Sequence, residues 1–491
     1  MRPHWVGPHR ALRSTPAEGG APVTVILGFA MIVVFMTLIM TKKLSPILAL
    51  ILVPTIFGLF AGAGLGIGDM VMEAIASMSS TAALLLFAII YFGIMIDVGL
   101  FDRLVDVILR LAGHDPLRVV MGTALLTGAV SLDGDGSTTF IVVTAAMLPI
   151  YRRLEMSPVV LTCVAGLING TLNIVPWGGP TARAASALQL DPNEIFAPMV
   201  PSLIVGLLLA LGFAWFMGLS ERRRLTAAGV QWARGAGGSV AAASAGSTGG
   251  PATRALVINQ TSEEPQESST GTSLAETALD PNRPTLRPHL LWFNLALTVV
   301  IMVLLVIDIM PLAYLFMLGT VVALMVNFRT VREQHEELAS HASSVITVVA
   351  MVMAAGVLTG VMSGTGMVDD MAQWLVDVIP ASWGPYLAGI TGVLSIPMTF
   401  FMSNDAFYYG ILPVLTETAS HYGISSAAMA RASITGQPVH LQSPLVPAIL
   451  LLVSLAGVEL GDHHKKVLWR ALCVSLAMLA VGILVGVIAF G

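Results

Sequence analysis

The chain has 491 residues, 56% of them hydrophobic and 11% charged, with a mean hydropathy of +0.84 and a net charge of −5. An ordinary soluble domain carries about 25% charged residues, so this composition predicts an all-α polytopic membrane protein. The small net charge implies no nucleic-acid partner, and Cys163 and Cys473, both in apolar stretches, predict no disulfide framework.

Residues 1–22, rich in Pro, Arg and His, read as a disordered N-terminal extension. No small-residue cleavage motif follows, so the first apolar run is expected to be a helix and not a signal peptide. Runs of about 17–25 apolar residues, long enough to span, centre on 24–40, 44–62, 80–98, 199–218, 290–308, 311–327, 342–362 and 467–490. Segments 157–188 and 424–457 each hold a Pro- and Gly-rich break and read as spans with an unwound middle. Segments 118–152 and 386–418 contain breaks bearing aspartate and read as re-entrant hairpins, giving ten spans and two hairpins.

The basic groups Lys42–Lys43, Arg152–Arg153, Arg222–Arg224, Arg329–Arg332 and His463–Lys466 fall on one side under this count. Asp69, Asp191, Glu194, Asp369 and Asp370 fall on the other, so the basic side is predicted cytoplasmic and both termini external. Residues 220–288, rich in Ala, Gly, Ser and Thr, cannot bury a core and are expected to be a disordered cytoplasmic linker. It joins two membrane regions, 23–219 and 289–491.

These regions repeat. Gly93-x-Met95-x-x-x-Gly99-x-x-Asp102 recurs 267 residues later as Gly360-x-Met362-x-x-x-Gly366-x-x-Asp369. A shift of 268 places Ser157 on Ser425, Pro176 on Pro444 and one hairpin tip on the other. Five spans per half is an odd number, so the second repeat is expected to be inverted. Inverted repeats with interrupted helices in matching positions point to a site near the bilayer midplane.

Four interruptions would build that site: the tip around Asp133–Thr139, the break Asn173–Thr181, the tip Ser403–Phe407 and the break Gly436–Pro444. Unpaired backbone is tolerated at that depth only where it faces protein, water or solute. Half-helix N-termini supply amide donors suited to carboxylates. Candidate solute contacts are Ser137, Thr138, Thr139, Asn173, Pro176, Gly178, Gly179, Thr181, Ser403, Asn404, Gln437, Gln442 and Ser443.

Asp133, Asp135 and Asp405 offer oxygen ligands for a hard divalent cation and could bind protons, or do both, with Asp135 and Asp405 the candidates for proton coupling. His440, inside a broken helix, titrates near neutral pH and is a second candidate proton carrier. Arg183 and Arg431 are intramembrane cations that would clamp a carboxylate or neutralise an aspartate. Walker A, G-x-S-x-G and H-E-x-x-H motifs are absent, which argues against ATP-driven transport and common hydrolase chemistry.

S-L-D-G-D-G-S-T-T from Ser131, N-I-V-P-W-G-G-P-T-A-R-A-A from Asn173, S-N-D-A-F-Y from Ser403, G-Q-P-V-H-L-Q-S-P-L-V-P from Gly436 and L-A-G-V-E-L-G-D-H from Leu455 closely resemble the signature stretches of one family. It is the citrate–divalent metal:proton symporter family (CitMHS) of the ion transporter superfamily. The resemblance implies a plasma-membrane carrier, not an enzyme, importing citrate complexed with Mg²⁺ or Ca²⁺ together with protons. It implies a homodimer and no tightly bound cofactor, the metal being cargo. Related divalent-anion:sodium symporters carry Ser-Asn-Thr at both tips, where this chain has Asp-Gly-Asp-Gly-Ser-Thr-Thr and Ser-Asn-Asp. A sodium- or proton-coupled carrier of another organic anion is the alternative within transporters. An intramembrane aspartyl protease using Asp135 and Asp405 is the alternative from another class.

Overall fold

The computed structural model describes residues 21–103, 107, 108, 110, 113, 115–134, 136–228, 283–307 and 309–491. Among these the chain is helical, with no strand. Six stretches are long and apolar enough to cross a bilayer: Ser79–Asp97, Pro192–Ala227, Pro288–Leu305, Ala342–Gly364, Ala381–Phe401 and Leu460–Leu484. Others are apolar but shorter, among them Pro46–Phe60, Pro158–Leu172 and Leu312–Asn327. The protein is an all-α, multi-pass membrane protein.

The outer frame is reciprocal. Ser79–Asp97 packs along Leu312–Asn327 from the other half, and Ala342–Gly364 packs along Pro46–Phe60 and Ile67–Ser77. Glycine makes these approaches possible. A Cβ on Gly360 would lie 2.6 Å from the Met70 carbonyl oxygen, and one on Gly93 would lie 2.5 Å from the His341 ring.

Inside the frame sit two hairpins and two broken helices. The first hairpin is Pro116–Val130, a 3₁₀ turn Ser131–Asp133, and Gly136–Arg153. Asp115 starts it by accepting from the Leu117 amide, with Pro116 in the first turn where no amide partner is needed. The second hairpin is Leu387–Phe401, then Ala406–Ile411 wound as a π-helix, then Leu412–Ser420. The first broken helix is Pro158–Leu172 and Gly179–Leu188, interrupted at 173–178.

The second broken helix places its gap differently from the sequence expectation. The break was expected over Gly436–Pro444, but Gln437–His440 is helical and the gap is 441–446. The amides of His440 and Leu441 reach the carbonyls of Gly436 and Gln437 at 3.0 and 3.1 Å, so the ladder continues through this stretch. Pro438 sits in the first turn, where its missing N–H costs nothing. The gap therefore aligns at a shift of 268 with 173–178.

The segment 220–288 is also narrower as a spacer than expected. The helix Val200–Ala227 runs well into it, and its far end docks: Arg283 is buried, and Arg287 Nε donates to the Asn327 carbonyl at 2.9 Å. Residues 1–20 and 229–282 lie outside the described residues.

Candidate functional site

The two broken helices cross where glycines remove side-chain bulk. A Cβ on Gly170 would stand 3.1 Å from the Pro438 Cα, and one on Gly166 would stand 2.6 Å from the Gln442 side chain. Each hairpin then closes against a broken helix. Gly136–Arg153 packs on Pro447–Ala456, and Leu387–Phe401 packs on Ser426–Ile434 and Gln437–His440.

A relay of amides connects the first broken helix and the second hairpin tip through Gln437, on the short helical turn just before the second gap. Asn173 Nδ2 donates to Gln437 Oε1 at 3.2 Å; Gln437 Nε2 donates to Asn404 Oδ1 at 3.4 Å and to the Tyr408 hydroxyl at 2.9 Å. Gln437 is fully buried, so these contacts satisfy groups that would otherwise be costly to hold away from water. Ser403 Oγ accepts from the Ala406 amide, so this candidate solute ligand caps the helix that follows it.

An ion pair joins the same elements. Arg183 Nε donates to Asp405 Oδ1 at 2.5 Å, with the side chains 26% and 11% exposed. Gly179 makes room for it, because a Cβ there would meet the guanidinium at 2.6 Å. Gly178 serves the backbone itself: its Cβ would lie 2.6 Å from the Asn173 carbonyl, so the chain can fold back through the gap. Thr181 Oγ1 returns to the Ile174 carbonyl at 2.8 Å and closes the break. Pro176 is at its centre.

Two neutral donors reach the first tip. Trp177 Nε1 donates to the Leu132 carbonyl at 2.9 Å, and Asn169 Nδ2 donates to Ser131 Oγ at 2.8 Å. Gly134 turns the chain at φ +81°. Asp133 and Ser137 follow the same tip, Thr138 and Thr139 are buried at the start of its second arm, and Asp135 lies outside the described residues. The Thr139 hydroxyl has no hydrogen-bond partner among the described residues.

His440 is buried in the second broken helix, its Nδ1 2.5 Å from the Thr399 carbonyl. A carbonyl can only accept, so Nδ1 carries the hydrogen and Nε2 is left as the basic nitrogen. Ser443 Oγ donates to the Phe400 carbonyl at 2.5 Å, tying the gap to the second hairpin.

Two candidates sit in other roles. Arg431 meets no carboxylate among the described residues; its guanidinium donates to the carbonyls of Glu194 and Val487 at 2.8–3.2 Å. Its direct contacts are thus backbone carbonyls, one of them that of Glu194, and not a carboxylate. Gln442 Nε2 donates to the Gly166 carbonyl at 2.9 Å, and its Oε1 meets His463 Nε2 at 3.0 Å, making a packed cross-link between helices. His463, expected in a cytoplasmic loop, is fully buried there, with Nδ1 3.1 Å from Thr162 Oγ1. Sequence reasoning also passed over Asn169, Trp177 and Tyr408. The amide inside an otherwise apolar helix was the available signal for Asn169, since an unpaired amide in hydrocarbon needs a partner.

The family model described as citrate transporter, CitMHS, matches residues 19–436. This chain belongs to the CitMHS citrate transporter family. A "Citrate transporter" of Bacillus subtilis (strain 168) is 45% identical over 465 residues, covering 95% of this chain and 99% of that protein. A "Mg(2+)/citrate complex secondary transporter" of the same organism is 43% identical, covering 94% and 98%. The crystal structure of the YdaH transporter of Alcanivorax borkumensis matches with a TM-score of 0.48 at 16% identity, covering 84% of this chain and 86% of that one. The chain is accordingly a membrane transporter and not an enzyme, which disposes of the aspartyl protease alternative.

Proposed function

We propose that this protein imports citrate as a complex with a divalent metal, Mg²⁺ or Ca²⁺ by preference, in symport with protons. The observation that carries the reading is the convergence of a carboxylate, a guanidinium and an amide relay on the breaks: Asp405 with Arg183, and Asn173 with Gln437 and Asn404. Acidic and basic groups side by side suit a cargo bearing both a cation and carboxylates. The Mg(2+)/citrate transporter among the relatives supports the same choice.

In this reading Asp133, Asp135 and Asp405 approach the metal, and Ser137, Thr138, Thr139, Thr181, Asn404 and the amides around Gly178 and Gly179 hold citrate oxygens. A citrate trianion alone would face several carboxylates at close range; the metal removes that repulsion. Arg183 holds Asp405 until cargo competes for it. The matched breaks belong to two inverted repeats around a midplane site, in a homodimer of the plasma membrane with the linker cytoplasmic and both termini external.

The test is labelled-citrate uptake into proteoliposomes with each metal, with EDTA, and under an imposed pH gradient. Uptake is expected to rise with metal and to collapse in EDTA. Metal-free citrate entering at the same rate would overturn the complex as cargo. For coupling, His440 Nε2 is the free basic nitrogen, so His440→Gln is expected to keep metal–citrate binding and lose acceleration by an inward proton gradient. An unaltered response would move the proton to Asp133, Asp135 or Asp405.

A further inference from the structure

Outside the hairpins and broken helices, one buried cluster has no part in the transport reading. Asp97 ends the helix Ser79–Asp97; Glu337 and His341 lie four residues apart at the junction of Val331–Ser340 and Ala342–Gly364. All three are buried, His341 completely. His341 Nε2 stands 3.4 Å from Asp97 Oδ2 and 3.5 Å from Glu337 Oε1. Ligand atoms from all three lie within 4.8 Å of one another.

Their hydrogen bonding is unsatisfied. Among the described residues, Asp97 Oδ1, Glu337 Oε1 and both ring nitrogens of His341 find no hydrogen-bond partner. Arg283 passes nearby, but its guanidinium donates to the carbonyls of Asp97 and Ile96 and to Asp102. Two buried carboxylates and an imidazole thus face one point beside the Arg283 guanidinium, and the four unpaired atoms cost free energy unless a cation or a shared proton meets them.

Packing does not demand these residues. The repeat register places Met70 where Glu337 stands, Ala74 where His341 stands and Gly364 where Asp97 stands. At that corner the Met70 side chain packs against Gly364, whose Cβ would meet its sulfur at 2.5 Å. One corner is closed by an apolar side chain, and the other by charge. Gly93 meanwhile leaves the space that the His341 ring occupies.

We propose that Asp97, Glu337 and His341 form a second cation site, for Zn²⁺, separate from the cargo path and linking the two halves. A tetrahedral zinc with bonds of about 2.0–2.1 Å sets its ligand atoms about 3.3 Å apart, close to the two separations measured. The imidazole selects a transition metal over Mg²⁺ and Ca²⁺, which take oxygen ligands. An ion here ties the end of Ser79–Asp97 to the helix Val331–Ser340.

The experiment uses the purified full-length protein, stripped with EDTA, freed of citrate and titrated with Zn²⁺ and, separately, Co²⁺. Wild type is expected to bind one Zn²⁺ per chain, to melt at a higher temperature with it, and to give the visible absorption of tetrahedral Co²⁺. Asp405→Asn should retain this ion, whereas Glu337→Gln and His341→Gln should weaken it at least about tenfold, the loss of one ligand. Retained citrate uptake by Glu337→Gln would show that the variant folds. Zn²⁺ binding unchanged in both ligand variants, or lost in Asp405→Asn, would overturn the site. If neither ligand variant folds, wild-type Co²⁺ absorption decides: a one-to-one tetrahedral spectrum supports the site, and its absence refutes it.

Discussion

The two hairpin tips, one on either side of the linker in the chain, are held by different contacts. The second tip is tied to the opposite half by charge, through Asp405 and Arg183, and by a side-chain amide relay through Asn404 and Gln437. The first tip is tied within its own half by an indole-to-carbonyl bond from Trp177 and an amide-to-hydroxyl bond from Asn169. An ionic latch between halves can be exchanged for a charged cargo; a neutral tie within one half has no such competitor. In the proposed reading the second tip is the element whose anchoring responds to substrate, and the first is the fixed wall.

This difference is broken most severely at the ion pair. Asp405→Asn leaves the Arg183 guanidinium without its carboxylate. Breaking a fully buried pair costs about 3–5 kcal/mol, but Arg183 keeps part of its side chain exposed, so we expect about 2 kcal/mol. Metal–citrate uptake should fall at least about tenfold, because the carboxylate that approaches the metal in the proposed reading is gone. The paired variant Arg183→Gln/Asp405→Asn should recover thermal stability without recovering transport. Near wild-type uptake by Asp405→Asn alone would remove the latch.

How far the sequence revealed these features follows from the kind of interaction each uses. Helix breaks were legible because Gly, Pro and Asp inside apolar runs violate local rules wherever they occur, as at Ser131–Asp133 and Asn173–Gly178. The partner of Arg183 was not legible: Asp405 is 222 residues away, and Asp133 or Asp135 would have satisfied the same charge argument. Gln442 and His440 looked alike as polar groups near a break. Only the packing of Gly166 against one and Thr399 against the other separates a cross-link from a candidate carrier. The exact gap, after His440, was hidden for a local reason, since Pro438 reads as a breaker in sequence yet starts a helical turn here.

A middle-sized effect is expected at the turn of the first tip. Gly134 has φ +81°, where a side chain costs about 1–2 kcal/mol. Its Cβ would also stand 2.9 Å from Trp177 Cδ1, so the ring that anchors the tip must shift. Gly134→Ala should lower the melting temperature by several degrees and slow uptake several-fold, and, with Asp133 and Asp135 flanking it, should weaken the metal dependence less than Asp405→Asn does. A loss of metal dependence as large as in Asp405→Asn would mean that the first tip is not a fixed wall.

The smallest effect sharpens the comparison most finely. Trp177→Phe keeps an aromatic ring against Phe92 and Phe316, whose centroids lie 5.0 and 5.1 Å away, and deletes only the donor to the Leu132 carbonyl. A neutral hydrogen bond contributes about 0.5–1.5 kcal/mol net, and the lost ring volume adds a modest packing cost. Because the bond lies within the first half, its loss should loosen the tip equally in loaded and empty protein. The maximal uptake rate should drop by about two- to fivefold, a barrier change of up to about 1 kcal/mol, while the half-saturating metal–citrate concentration stays put. Asp405 variants should move both quantities, since cargo competes directly for that carboxylate. A shift in half-saturation for Trp177→Phe as large as for Asp405→Asn would show that both tips respond to cargo, and the distinction between latch and wall would fail.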